Sequence, residues 1–228
     1  MASQRTVEMR TNVLARHDEV AASLRARFEH TGTHVVNMVS SPGTGKTTLL
    51  TLMLTTMVER GVGVAALVGD CATDNDARRI AESGAPVRQI VTEGLCHLEV
   101  SMIEQHLDGW DLDGIEFLFI ENVGNLVCPS SFDLGETTRM VLLSVTEGED
   151  KPLKYPQMFH SSELAVITKT DLAAPCEFDR AAALANIDAV HPGLAVFETS
   201  KRDSASIDRL VDYIVAERRR SCEPLPTS

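Results

Sequence analysis

Six short apolar runs punctuate the chain: HVVNMV (34–39), VGVAALV (62–68), IEFLFI (115–120), MVLLSV (140–145), LAVITK (164–169) and LAVFET (194–199). Their length and near-continuous apolar character are those of strands covered on both faces. A weaker strand signal lies at 87–91. Helical patterns fall between them: Thr6 to about His30, Lys46 to about Arg60, Asp74–Ser83, about His97 to Leu107, and Ser206 to about Arg219. Strands alternating with helices predict βαβ units and a mostly parallel sheet with helices on both faces. The polar stretch EGEDKPLKYPQMF (147–159) is predicted as a long, candidate functional loop. No repeat, low-complexity tract or linker divides the chain. The expected organisation is an N-terminal helical extension (1–33), an α/β domain (34–220) and a flexible tail (221–228).

The turn after the first run changes the picture. Ser40-Ser41-Pro42-Gly43-Thr44-Gly45-Lys46-Thr47 follows a strand and opens a helix, the setting of a P-loop. In such a loop, here Ser41 to Thr48, the successive backbone N–H groups (all but Pro42, which has none) wrap phosphates at a helix N-terminus. Lys46 is expected to reach the β- and γ-phosphates, and the Thr47 hydroxyl to hold Mg²⁺. Ser40 stands where the pattern usually starts with glycine. A P-loop NTPase also needs an acid at a neighbouring strand end for the Mg²⁺ shell. Glu121 is placed for this, with Asp70 as a second candidate and Asp74 and Asp76 just beyond. Asp74 reads equally as a helix cap. Glu121-Asn122-Val123-Gly124 has the spacing of a DxxG switch with Glu for Asp, so the Gly124 N–H is expected at the γ-phosphate.

Thr168-Lys169-Thr170-Asp171, after the strand LAVI, resembles the guanine-reading NKxD motif with Thr for Asn. Asp171 would accept from guanine N1 and N2, and Lys169 would pack over the base. Glu198-Thr199-Ser200-Lys201 resembles the SAK element at guanine O6. Together they favour GTP and GDP over ATP.

The chain has 228 residues and a net charge of −12, which suits a soluble protein and disfavours nucleic acid as a partner. Its basic block, RRR at 218–220, is predicted to complement a helix C-terminus. Neither a membrane-length apolar run nor a signal-peptide core is visible, so the expectation is a cytoplasmic protein with no membrane partner. Five cysteines (Cys71, Cys96, Cys128, Cys176 and Cys222) do not make a disulfide framework. On residues alone, Cys96 and Cys128 read as packing thiols or as ligands. Cys96, beside His97, sits where a helix is predicted to start, which would depress its pKa.

The segments SSPGTGKTTLL, GDCATDNDARRI, EGLCHLEVSMI, FIENVGNLVCPSSFDLGE and VTEGEDKPLKYPQMF together resemble the HypB family of hydrogenase-maturation GTPases, from about Val35 to Lys201. The resemblance implies slow Mg²⁺-dependent GTP hydrolysis, a GTP-dependent homodimer, and Cys96, His97 and Cys128 as Ni²⁺ or Zn²⁺ ligands. It implies HypA and the hydrogenase large subunit as partners, and places Lys151 or Lys154 near the other subunit's nucleotide. The stretch before the P-loop carries neither the cysteine motif nor the histidine tract of many members; His17, His30 and His34 read as scattered. Cys71 reads as packing or an extra ligand, and Cys176 and Cys222 take no role. Three other readings stand beside this one: an accessory GTPase for another nickel enzyme, a P-loop small-molecule kinase, and a metal-storage protein with a vestigial nucleotide site.

Overall fold

The computed structural model describes residues 2–70 and 75–222, with side chains described over 16–69 and 76–220. The side chains of Asp70 and Cys222, and all of Cys71, Asp74 and the tail from 223, lie outside the described residues. The elements run α1 (Ala2–Thr31), β1 (His34–Ser40), α2 (Lys46–Glu59), β2 (Val64–Asp70), α3 (Asn75–Ala81), β3 (Val87–Val91), α4 (Val100–Leu107) and β4 (Phe117–Glu121). They continue as β5 (Thr138–Ser144), α5 (Lys151–Lys154), α6 (Pro156–His160), β6 (Leu164–Thr168), α7 (Arg180–Val190), β7 (Ala195–Glu198) and α8 (Ser204–Cys222).

The strands form one seven-stranded sheet in the order β3-β2-β4-β1-β5-β6-β7. Every pairing is parallel. Alternate side chains of each strand feed opposite faces, as a period of two requires. Val36 and Met38 of β1 pack with Leu50, Met53 and Leu54 of α2 and Leu210 of α8. Val35 points the other way, into Leu24 and Phe28 of α1 and Ile103 and Leu107 of α4. Further along that face, Val141 and Ile167 are covered by Met158 and Phe159 of α6 and Ile187 of α7. Phosphate and metal chemistry is expected outside the carboxyl ends of such strands, where neighbouring connections diverge. Here β1 lies between β4 and β5 and delivers the P-loop there.

Three expectations change. The 147–159 connection is not an open loop: it folds as the short helices α5 and α6, and Met158 and Phe159 are fully buried. The fourth helix starts at Val100, not His97, so Cys96 sits in the turn before it and loses the helix N-terminus. Of the three terminal arginines, Arg218 does more than complement a helix end. It donates to the Gly32 carbonyl at 2.9 Å and to Glu116 Oε2 at 2.7 Å, tying α8 to the turn before β1.

Candidate functional site

The phosphate loop is shaped by two glycines that adopt conformations closed to other residues. Gly43 has φ +75° and Gly45 φ +104°. Lys46, 8% exposed, donates from Nζ to Ser40 Oγ at 2.9 Å. The serine in place of the usual first glycine therefore holds the lysine head. Burial pushes the Lys46 pKa down, while Glu121, Asp76 and Glu147 oppose that shift. A polyanion at the loop would relieve this cost. Thr47 Oγ1 donates to Glu121 Oε1 at 2.7 Å, so the two groups expected to share Mg²⁺ already meet. Gly124 lies against the loop: a Cβ there would come within 2.9 Å of Pro42 Cα. Lys46, Thr47, Asp76, Glu121 and Gly124 line a cavity of about 450 Å³ on this side. Asp70 ends β2 near it.

The other side of the loop opens on a cavity of about 270 Å³, lined by Thr48, Lys169, Asp171, Ser200 and Lys201 among others. Thr168 stands where the motif usually has Asn; its buried hydroxyl donates to the Thr44 carbonyl at 2.7 Å, fastening β6 to the phosphate loop. Lys169, at φ +59°, donates to the Gly43 carbonyl at 2.7 Å. Asp171 Oδ1 accepts from Ser200 Oγ at 2.7 Å, and that bond holds its carboxyl below the usual range, so at neutral pH it is an acceptor.

Across the sheet end, Cys96 Sγ lies 3.0 Å from Cys128 Sγ and 3.7 Å from His97 Nδ1. Among the described residues, these three form the group that could hold a metal ion, with donor atoms within 4.8 Å of one another. The donor set fits a thiophilic divalent ion. The Cys96 thiol is pushed up rather than down, first by its bond to Cys128 and then by burial, which corrects the depressed value expected from a helix start. Desolvation lowers the His97 pKa, favouring the neutral, ligating imidazole. The His97 ring stacks on Phe132 at 4.2 Å. Cys176 is exposed, away from this group.

Several functional neighbours were not legible in the sequence. Glu147 Oε2 accepts from Thr44 Oγ1 at 2.8 Å, bracing the P-loop; the capping box Ser144–Glu147 was its visible signal. Lys151 reaches its own chain's Ser41 Oγ at 3.2 Å, whereas Lys154 pairs with Asp150 at 2.5 Å and stays largely in solvent. Asn122, following Glu121, accepts from the backbone N–H of Leu98 at 3.1 Å and donates to Asn37 Oδ1 at 3.3 Å. Asn37 donates to Glu136 at 3.0 Å, and Glu136 pairs with Arg139 at 2.7 Å. Arg139 in turn donates to the Phe132 carbonyl at 2.9 Å. This buried chain links the turn carrying Cys96 and His97 to the turn carrying Cys128, passing beside the phosphate loop.

Comparison with known proteins agrees with this geometry. Residues 34–198 match the family model "CobW/HypB/UreG, nucleotide-binding domain". A hydrogenase maturation factor HypB of Azotobacter chroococcum mcd 1 is 43% identical over 220 residues, 96% of this chain and 71% of that protein. The hydrogenase/urease maturation factor HypB of Helicobacter pylori is 36% identical over 223 residues, covering 96% of this chain and 91% of the relative. The crystal structure of Helicobacter pylori HypB in complex with nickel superposes with a TM-score of 0.85 at 36% identity, covering 93% of this chain and all of that one. With its phosphate loop, acid-tipped β4 and the cysteine-bearing turn after it, this chain belongs to the CobW/HypB/UreG family, in its HypB group.

Proposed function

We propose that the protein is a cytoplasmic GTPase that couples its nucleotide state and dimerisation to handling of a nickel ion during [NiFe]-hydrogenase maturation. The observation that carries this reading is a single short segment. Gly124 packs on Pro42 of the phosphate loop, and four residues later the chain places Cys128 at 3.0 Å from Cys96. A change at the γ-phosphate that moves Gly124 moves a metal ligand with it, and the coupling must be reciprocal.

In the proposed reaction, water attacks the γ-phosphorus in line. Lys46 neutralises charge on the β- and γ-oxygens, and the Gly124 N–H faces the γ-phosphate. Thr47 and Glu121, with Asp70 as a further candidate, would hold Mg²⁺, which when bound offsets phosphate charge and fixes the leaving oxygen. Ser41, Pro42, Gly43, Thr44, Gly45 and Thr48 cradle the phosphates. Lys169, Asp171, Ser200 and Lys201 select guanine. Cys96, His97 and Cys128 take the nickel, or zinc, as cargo. HypA and the hydrogenase large subunit are the proposed partners for transfer. The Helicobacter relatives' hydrogenase/urease name supports a second reading, service to another nickel enzyme.

The test is hydrolysis by the purified chain with Mg²⁺ and either GTP or ATP, followed by size-exclusion with a non-hydrolysable GTP analogue. The expected result is slow turnover of GTP in preference to ATP, loss in Lys46→Ala, and a dimer with the analogue. Preference for ATP with phosphate passed to a small acceptor would establish the kinase reading instead.

A further inference from the structure

His17 and His97 share an unusual condition. Each has a buried Nε2 atom with no hydrogen-bond partner among the described residues. Leaving such an atom unpaired costs roughly 1–3 kcal/mol, so a pair of them at one place calls for an explanation. Both rings pack on Phe132: His97 is stacked at 4.2 Å with an interplanar angle of 18°, and His17 stands edge-on at 5.2 Å and 62°.

Helix α1 is not loosely placed there. His17, Ala21, Leu24 and Phe28 recur at helical spacing, and the last three are buried against α4 and the sheet. Arg25 grips Asp133 through both carboxylate oxygens at 2.6 and 2.7 Å. Gly135 comes so close that a Cβ on it would lie 3.0 Å from the Ala21 carbonyl oxygen. The turn after Cys128 is thus clasped to the same helix face that carries His17.

The orientation of His97 decides what His17 can do. Its Nδ1 is the nitrogen near the thiols, at 3.7 Å from Cys96 Sγ, so Nδ1 is the natural ligand atom. A metal-bound imidazole keeps its proton on the other nitrogen and needs an acceptor for it; such partners orient the ligand and raise its basicity. We propose that His17 is that acceptor: the His17 imidazole on α1 takes the hydrogen bond from His97 Nε2–H when the Cys96–His97–Cys128 site is loaded. His17 is a positioning residue, not a ligand, and it makes the N-terminal helix part of the metal site. The inference rests on the proposed metal role of that site.

The experiment measures Ni²⁺ and Zn²⁺ affinity by chelator competition for the full chain, His17→Phe, His17→Gln and Cys128→Ala, with thermal unfolding of each without metal. His17→Phe should bind about 10- to 100-fold more weakly. His17→Gln, which keeps an acceptor near the same place, should bind within about threefold of the parent, well inside that loss. His17→Phe should not lower the unfolding temperature of the metal-free chain, because it keeps a ring against Phe132 and the lost imidazole nitrogen has no partner there among the described residues. Parent-like affinity in His17→Phe, or a Gln variant as weak as Phe, would overturn the role. So would X-ray absorption showing two imidazoles on the metal in the parent and one in His17→Phe, since His17 would then be a direct ligand. If the parent chain binds no metal, or Cys128→Ala binds as the parent does, the failure is that of the underlying site.

Discussion

At the scale of single residues, groups built for a ligand separate from groups built for the fold. Lys46 is buried with, among the described residues, a hydroxyl as the hydrogen-bond partner of its head group, and burial lowers its pKa. Lys46→Met should therefore leave nucleotide-free stability unchanged or higher, while GTP turnover drops about 100- to 1000-fold, as for loss of one preorganised electrostatic partner. Unfolding curves and single-turnover rates check both halves. Asp171 presents an ionised acceptor to the cavity of about 270 Å³ proposed to take the base. Asp171→Asn should weaken GTP and favour xanthosine triphosphate, whose 2-oxo group accepts where guanine's amino group donates; competition binding reads this directly. His34 is a fold residue. It is 5% exposed, its Nε2 lies 2.9 Å from Thr138 Oγ1, and burial, helped by Arg218, pushes its pKa from 6.5 down to about 4. The unfolded chain thus takes up this proton first as pH falls. Its contribution is complete above about pH 6.5 and declines toward pH 4, by about 3 kcal/mol in all. His34→Gln should flatten the stability profile in that window and nowhere else.

At the scale of elements, the buried chain Asn122–Asn37–Glu136–Arg139 joins β4, β1 and β5 to the turn carrying Cys96 and His97 and the turn carrying Cys128. Glu136 is 9% and Arg139 8% exposed, so the pair is largely desolvated. Removing one partner leaves a buried charge uncompensated: Arg139→Met should cost about 3–5 kcal/mol in denaturant unfolding, and Glu136→Gln added to it should recover part of the loss. The elements themselves were mostly legible. Continuous apolar runs announced β1, β4 and β6 because strands covered on both faces have no polar alternation to confuse. The fourth helix, expected from about His97, starts later because the structure seats Leu98 against Gly69, so closely that a Cβ on Gly69 would meet it at 2.8 Å. The 147–159 stretch looked like a loop because its polar residues outnumber the two, Met158 and Phe159, that anchor it.

At the scale of the whole molecule, the legible part of the site was local in sequence. The phosphate loop, the switch spacing and TKTD each sit on one contiguous stretch. What remained hidden was tertiary: that Glu147 braces Thr44, that Lys151 turns to its own Ser41, and that His17, 80 residues before His97, shares Phe132 with it. Nothing in local composition encodes such meetings; the sheet order brings them about. The central claim is that the switch turn carries nucleotide state to the metal cluster. It is tested most directly by Ni²⁺ affinity measured with GDP and with a non-hydrolysable GTP analogue, in the parent and in Cys128→Ala. The account predicts a difference between the two nucleotides of at least about fivefold in the parent, the lower end of typical coupling, and loss of both binding and difference in the variant. Equal affinity with either nucleotide, in a chain whose binding still requires Cys128, would contradict it.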